Sequence, residues 1–86
     1  MIQFSVRNYS TGRPHRLVFN PNTPGTYSVK CRVYYPGEVR CTETFQLKPV
    51  DAAYEFHYQF RQLGDYLLVL IKDLSIVHIL KAVVEK

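Results

Sequence analysis

The chain has 86 residues, which is the length of one small domain and leaves no room for a second. Hydrophobic residues make up 47% and charged residues 21%, a balance typical of a globular chain and not of a disordered one. Two cysteines are too few for a disulfide-dense mini-protein, and a formal net charge of +4 is too small for a polybasic tail. We therefore expect residues 1–86 to form a single domain, and we exclude a large enzyme with separate cofactor and substrate domains.

Apolar and polar residues alternate with period two along most of the chain, which is typical of half-buried β-strands. Clusters of Gly, Pro, Asn and Asp separate the alternating segments and predict turns. The pattern predicts an all-β domain of about seven strands. The segments are 2–6, 17–19, 27–35, 39–47, 54–60, 66–71 and 74–84. The first strand is predicted to have one face in solvent, and Glu43 is the one polar residue in the apolar phase of the fourth strand.

The C-terminal part is unusual because residues 66–71 and much of 74–84 offer apolar side chains to both faces. We predict a strand pair here, with Lys72 and Asp73 as a two-residue turn. A single helix over residues 65–84, capped by Asp65, is the alternative. The many β-branched residues and the lack of a polar helix face favour strands.

Two segments enter a predicted strand in the same way. Residues 24–30 read Pro-Gly-Thr-Tyr-Ser-Val-Lys, and residues 63–69 read Leu-Gly-Asp-Tyr-Leu-Leu-Val. A Gly-X-Tyr strand entry followed by a turn and a return strand resembles the last two strands of immunoglobulin-like sandwiches, such as filamin-type repeats and bacterial or archaeal Ig-like modules. The resemblance implies a single-domain antiparallel β-sandwich that binds proteins or spaces domains, and it implies no catalytic residue. The core Trp and the inter-sheet cysteine pair of antibody domains are absent from the sequence.

The two cysteines, Cys31 and Cys41, lie in the apolar phase of the third and fourth predicted strands, which Pro36 and Gly37 join. One register places Cys31 opposite Cys41, at a separation that suits a disulfide, and the next register separates them. The alternative is a pair of reduced thiols that act as small apolar residues. We expect no zinc site and no cofactor, because no second cysteine pair or nearby histidine completes a ligand set.

Catalytic signatures are lacking: the sequence contains no nucleophile elbow, paired-carboxylate cleft or Gly-rich phosphate loop. Of the histidines, none lies three or four residues from another. We expect His57 to be solvated on the polar face of its strand and His78 to be a neutral, partly buried residue, with pH sensing as its alternative role. The sequence therefore predicts that the protein is not an enzyme.

Positive charge is concentrated in the first fifty or so residues. Lys30 and Arg32 on the third strand share a face with Tyr34, and Arg40 projects outward from the fourth. A basic surface of this kind with an aromatic side chain could follow a phosphate backbone and stack on bases. The alternative is a solvated sheet face. The candidate residues are Arg13, Arg16, Lys30, Arg32, Tyr34 and Arg40.

The outward-facing residues of the C-terminal strand pair would leave a large apolar patch on a monomer, and such patches usually mark an interface. The predicted interface residues are Leu67, Val69, Ile71, Val77 and Ile79. We therefore expect a non-catalytic interaction or structural module that binds a second copy of itself or another protein. The alternatives are a small basic nucleic-acid-binding protein, or a central strand whose outer face is covered by the chain's own loops.

The sequence shows no signal peptide, and the longest apolar stretch, residues 66–84, is interrupted by charged residues such as Lys72 and Asp73. We therefore expect a soluble, cytoplasmic protein that makes no membrane contact.

Overall fold

The computed structural model is an all-β fold and describes residues 2–20, 29–37, 40–41, 43–50 and 53–86. Its strands are β1 (Gln3–Ser10), β2 (His15–Phe19), β3 (Val29–Tyr34), β4 (Glu43–Val50), β5 (Ala53–Tyr58), β6 (Gly64–Lys72) and β7 (Ser75–Glu85). The predicted all-β class and the strand pair near the C-terminus are confirmed. The helical alternative for residues 65–84 is wrong, because β6 and β7 pair along their length.

The seven strands form one mixed sheet in the order β1-β7-β6-β3-β4-β5-β2. β1 and β7 are parallel, and the other neighbouring pairs are antiparallel. β4 serves two neighbours, since Glu43–Leu47 pairs with β3 and Lys48–Val50 pairs with β5. The sheet curls at β4 until it is nearly barrel-shaped, and an isolated bridge joins Thr11 to Phe60. The immunoglobulin-like sandwich stays a prediction.

The inside of the curled sheet is an aromatic-rich core. Phe60 is at its centre, with ring centroids 4.9 Å from Tyr66, 5.0 Å from Tyr58 and 5.2 Å from Tyr9. Edge-to-face and offset pairs of this kind each add about 0.5–1.5 kcal/mol beyond area burial. The core cluster comprises Leu17, Phe19, Val29, Cys31, Val33, Leu47, Tyr54, Phe56, Tyr58, Phe60, Tyr66, Leu68, Leu70, Leu80, Ala82 and Val84.

The turn between β6 and β7 lies one residue later than predicted. Lys72 pairs with Ser75, so Asp73 and Leu74 form the turn, with φ values of 50° and 66°. Two consecutive residues with positive φ match the twist of a tight hairpin. Lys72 is consequently a strand residue, and it is buried.

The first Gly-X-Tyr segment lies outside the described residues up to position 28, whereas the second is described in full. Gly64 has a φ of +125°, a region that favours glycine, and it lies against Pro36. A Cβ atom at position 64 would lie 2.9 Å from the Cβ of Pro36. Both the backbone conformation and the close approach therefore require glycine here.

Replacing Gly64 tests this requirement. We expect Gly64→Ala to lower the free energy of unfolding by about 2 kcal/mol, because the new methyl group clashes with Pro36 and the backbone is strained. Gly12→Ala is the control, since Gly12 has a φ of +92° but no atom within 4 Å of the added Cβ. Urea unfolding should show a clearly larger loss for Gly64→Ala, and equal losses would refute the steric explanation.

Candidate interaction surface

An apolar surface covers the outer side of β1, β7 and β6. Residues paired across strands share one face of a sheet, and Phe4 lies opposite Ile79, which lies opposite Val69. Phe4 is 73% exposed, Val6 is 66% exposed and Leu67 is 44% exposed. We call this surface the outer apolar face, and it comprises Ile2, Phe4, Val6, Leu67, Val69, Ile71, Ile76 and Ile79.

β1 contributes to this face because its polar residues point inward. Ser5 lies opposite the buried Leu80, and its Oγ is 2.7 Å from Nε2 of His78. Tyr9, in the same phase as Ser5, stacks on Phe60 in the core. The intervening residues Phe4 and Val6 must therefore face outward. The predicted solvent face of β1 is thus the apolar one, the reverse of the usual amphipathic arrangement.

Four of the five predicted interface residues belong to the outer apolar face. Leu67 is exposed, and Ile71 and Ile79 are half-buried. Val69 is buried and is not part of the core cluster, so it contributes little exposed surface to this face.

Val77 corrects the prediction, because it packs against the core cluster. The register shifts near Leu70 and Ile71, which pair with His78 and Ile76 and leave Val77 as an extra residue in β7. An extra residue reverses the alternation of faces locally.

The exposed members of the outer apolar face are Ile2, Phe4, Val6, Leu67 and Ile76, and apolar residues gathered on one sheet face often mark an interface. Sequence reasoning missed the contribution of Phe4 and Val6 because alternation reveals two faces but not which one is buried. No local signal marks the choice, because the side of β1 that faces inward depends on its pairing with β7, which is distant in the sequence.

The predicted basic patch is divided by the fold. Lys30, Arg32 and Tyr34 lie together on the outer side of β3, opposite Ile71, Val69 and Leu67 of β6. They border the outer apolar face.

The other basic candidates lie elsewhere. Arg16 is on β2, where one guanidinium nitrogen is 2.8 Å from the carboxylate of Glu55. Arg13 is in the β1–β2 loop, and Arg40 is exposed ahead of β4. The arrangement reduces the candidate nucleic-acid patch to Lys30, Arg32 and Tyr34.

Cys31 and Cys41 are free thiols. Cys31 lies opposite Phe45, so neither register considered from the sequence is the one observed. Burial raises the pKa of the Cys31 thiol to about 12, which leaves it uncharged and weakly reactive at neutral pH. Cys41 donates a hydrogen bond to the carbonyl oxygen of Glu43 at 3.0 Å.

Glu43 proves to have a structural reason for its place in the apolar phase. It pairs with the buried Val33 and accepts hydrogen bonds from the hydroxyl groups of Tyr35 and Tyr58. Burial, hydrogen bonding and the nearby Glu43 charge raise the pKa of Tyr58. Both phenols therefore act as neutral donors to the carboxylate at one end of the core.

The described ranges bring no three His, Cys, Asp or Glu side chains together in a metal-binding arrangement. His57 is exposed, with its Nε2 3.3 Å from the Glu55 carboxylate. His15 is buried at the start of β2, and its Nε2 is 2.8 Å from the carbonyl oxygen of Ser10. This imidazole links the end of β1 to the start of β2.

Comparison with known proteins identifies no relative: no family model, curated protein or solved structure matches the chain. The fold and surface themselves define an all-β chain with an exposed apolar sheet face. In the part of the chain that the structure describes, no helix is long and apolar enough to cross a membrane.

The pH dependence of stability tests the inward position of His78. Burial, together with the positive charge of Arg7, lowers the pKa of His78. The unfolded state therefore binds more protons below about pH 6.5, so we expect the free energy of unfolding to fall as pH drops through that value. His78→Gln should weaken this dependence in urea unfolding curves, whereas His57→Gln, at an exposed histidine, should retain it. Identical slopes in all three proteins would contradict the assignment.

Proposed function

We propose that the chain is a non-catalytic protein-interaction module of immunoglobulin-like architecture that self-associates through the outer apolar face. In immunoglobulin folds, strands A to G form an ABED sheet and a CFG sheet. The order β2-β5-β4 corresponds to B-E-D, and β3-β6-β7 corresponds to C-F-G. Two departures are that β1 pairs with β7 instead of β2, and that β4 joins the two groups into one sheet.

A second feature supports the immunoglobulin-like architecture. In these folds a tyrosine near the start of strand F hydrogen-bonds to the backbone a few residues upstream. Tyr66, near the start of β6, donates from its hydroxyl to the carbonyl oxygen of Gln62 at 3.0 Å and accepts from the N–H of Gln62 at 3.1 Å. The Gly64-Asp65-Tyr66 entry thus has the chemistry that the resemblance implies.

The observation that carries self-association is the exposure of Phe4 and Val6 on β1 and of Leu67 on β6, the two strands that flank β7. A standard interface buries about 800 Å² on each partner, an area that would include both the outer apolar face and its polar rim. Lys30 and Arg32 on β3 border this face and are exposed. Lys81 lies within the face, between Val6 and Leu67, and its Nζ is 3.4 Å from the carboxylate of Asp65. Apolar residues with charge at the border are the usual composition of an interface, and an isologous pair would match this face with itself.

Light scattering tests the proposal directly. We expect the wild-type chain to have a mass above 10.1 kDa that rises with concentration. Phe4→Asp and Leu67→Asp should each weaken association at least about tenfold, because each places a charge on the outer apolar face and removes roughly 1.5–3 kcal/mol of burial.

Val18→Asp is the matched control, since Val18 is similarly exposed but lies on β2. It should leave the mass unchanged. A wild-type chain that stays at 10.1 kDa at every concentration would overturn the proposal.

Nucleic-acid binding is the second candidate, and the adjacency of Lys30, Arg32 and Tyr34 is the observation that favours it. It predicts retention on single-stranded DNA that falls steeply as salt rises. Lys30→Gln with Arg32→Gln should then abolish retention, and Arg61→Gln, which removes an exposed charge elsewhere, should change it little. If the loss of retention per positive charge removed is the same at Arg61 as at Lys30 and Arg32, binding is nonspecific electrostatic attraction and this function is excluded.

A further inference from the structure

A cleft separates the two edges of the sheet, away from the outer apolar face. β1 and β2 are antiparallel in space and are linked at their loop end by the Ser10–His15 hydrogen bond. Beyond that point they enclose a cleft of about 470 Å³. Ser5 and Arg7 line it from β1 and Arg16 from β2, with Phe19, His78 and Leu80 also in its lining. We call it the seam cleft.

The seam cleft is electropositive. Among the residues that line it, two are arginines and none is acidic. Arg7 makes no hydrogen bond or ion pair with any described residue. Burial lowers the pKa of His78 and raises that of Tyr9, and the positive charge of Arg7 adds to the first shift and opposes the second. The guanidinium of Arg7 therefore lies close to the cleft and has its donors available.

Arg16 lines the cleft from β2. One of its nitrogens is engaged with Glu55 at 2.8 Å, which orients the side chain and leaves other N–H donors of the guanidinium for a ligand. Glu55 itself lies on β5, outside the lining of the cleft. Guanidinium groups from both edges of the cleft supply the kind of charged N–H donors that bind oxyanions.

We propose that the seam cleft binds a small phosphate monoester, with the phosphate between Arg7 and Arg16 and the hydroxyl of Ser5 as a further polar contact. A volume of about 470 Å³ lies within the range of small-molecule sites and exceeds what inorganic phosphate alone would fill. Phe19 and Leu80 supply apolar surface for the organic part of the ligand. The bound molecule would join β1 to β2 where the sheet is open.

Amide chemical shifts measured during ligand titration test the site. With adenosine monophosphate as the probe, we expect saturable shifts at Ser5, Arg7 and Arg16, and no such shifts with adenosine. Arg7→Gln should weaken binding at least about tenfold, because it removes the charged guanidinium group and the hydrogen bonds that this group would donate to the phosphate. Arg61→Gln removes the same charge from an exposed position outside the cleft and should bind as the wild type does.

Inorganic phosphate is the second probe, and it distinguishes binding of free phosphate from binding of a phosphate monoester. Shifts at the same residues that depend on Arg7 support a phosphate site, and their strength relative to adenosine monophosphate shows whether the organic part contributes. The proposal is overturned if neither probe shifts the cleft residues, or if Arg7→Gln and Arg61→Gln have equal effects. A third outcome also overturns it: an extended acidic peptide protects the β1 amides from hydrogen exchange and neither phosphate probe does. The open edge of β1 would then bind a peptide as an added β-strand and not a small phosphate monoester. Phe4→Asp should retain phosphate binding, which keeps this result distinct from self-association.

Discussion

The parallel pairing of β1 with β7 is the constraint on which both surfaces depend. Its register places Ser5 opposite Leu80, and the neighbouring residue Phe4 opposite Ile79. Because successive side chains of a strand point to opposite faces, this register sends Ser5 and Arg7 toward the seam cleft and Phe4 and Val6 to the outer side. A shift of one residue would bury the apolar phase and remove the outer apolar face and the cleft lining together.

The polar side chains of β1 that point inward are Ser5, Arg7 and Tyr9, and each has a contact or an opening that accommodates it. Ser5 is within hydrogen-bonding distance of His78, and Tyr9 stacks on Phe60. β1 lies at the edge of the sheet, so Arg7 reaches the cleft and not a closed interior. A fully closed barrel would bury that guanidinium without a partner, at a cost of several kcal/mol. The opening between β1 and β2 and the polar phase of β1 are therefore physically linked.

Sequence reasoning predicted the positions of the strands well and their pairing less well. Alternation and turn residues located the strands, since each depends on local chemistry. The β6–β7 turn was placed one residue early, because positive φ at Asp73 and Leu74 cannot be read from Lys-Asp-Leu. Residues 27–28, 39 and 42 of the predicted strands lie outside the described residues.

The errors in the sites come from long-range pairing. Val77 was assigned outward because strict alternation ignores the extra residue in β7. The two registers considered for Cys31, one opposite Cys41 and one that separates the two cysteines, both differ from the observed β3–β4 register, which places Cys31 opposite Phe45. The side of β1 that faces the core depends on a parallel neighbour distant in sequence, which no local pattern encodes.

Because β1 is paired on one side only, its stability is a candidate link between the two surfaces. Self-association would cover Phe4 and Val6 and hold the strand from outside. A ligand in the seam cleft would hold the same strand from its open edge through Arg7. Each event would oppose the fraying of β1, so each would lower the ordering cost of the other, which makes them cooperative without any contact between the two sites. Self-association through Phe4 and Val6 and ligand binding through Arg7 would then be coupled through the backbone of β1.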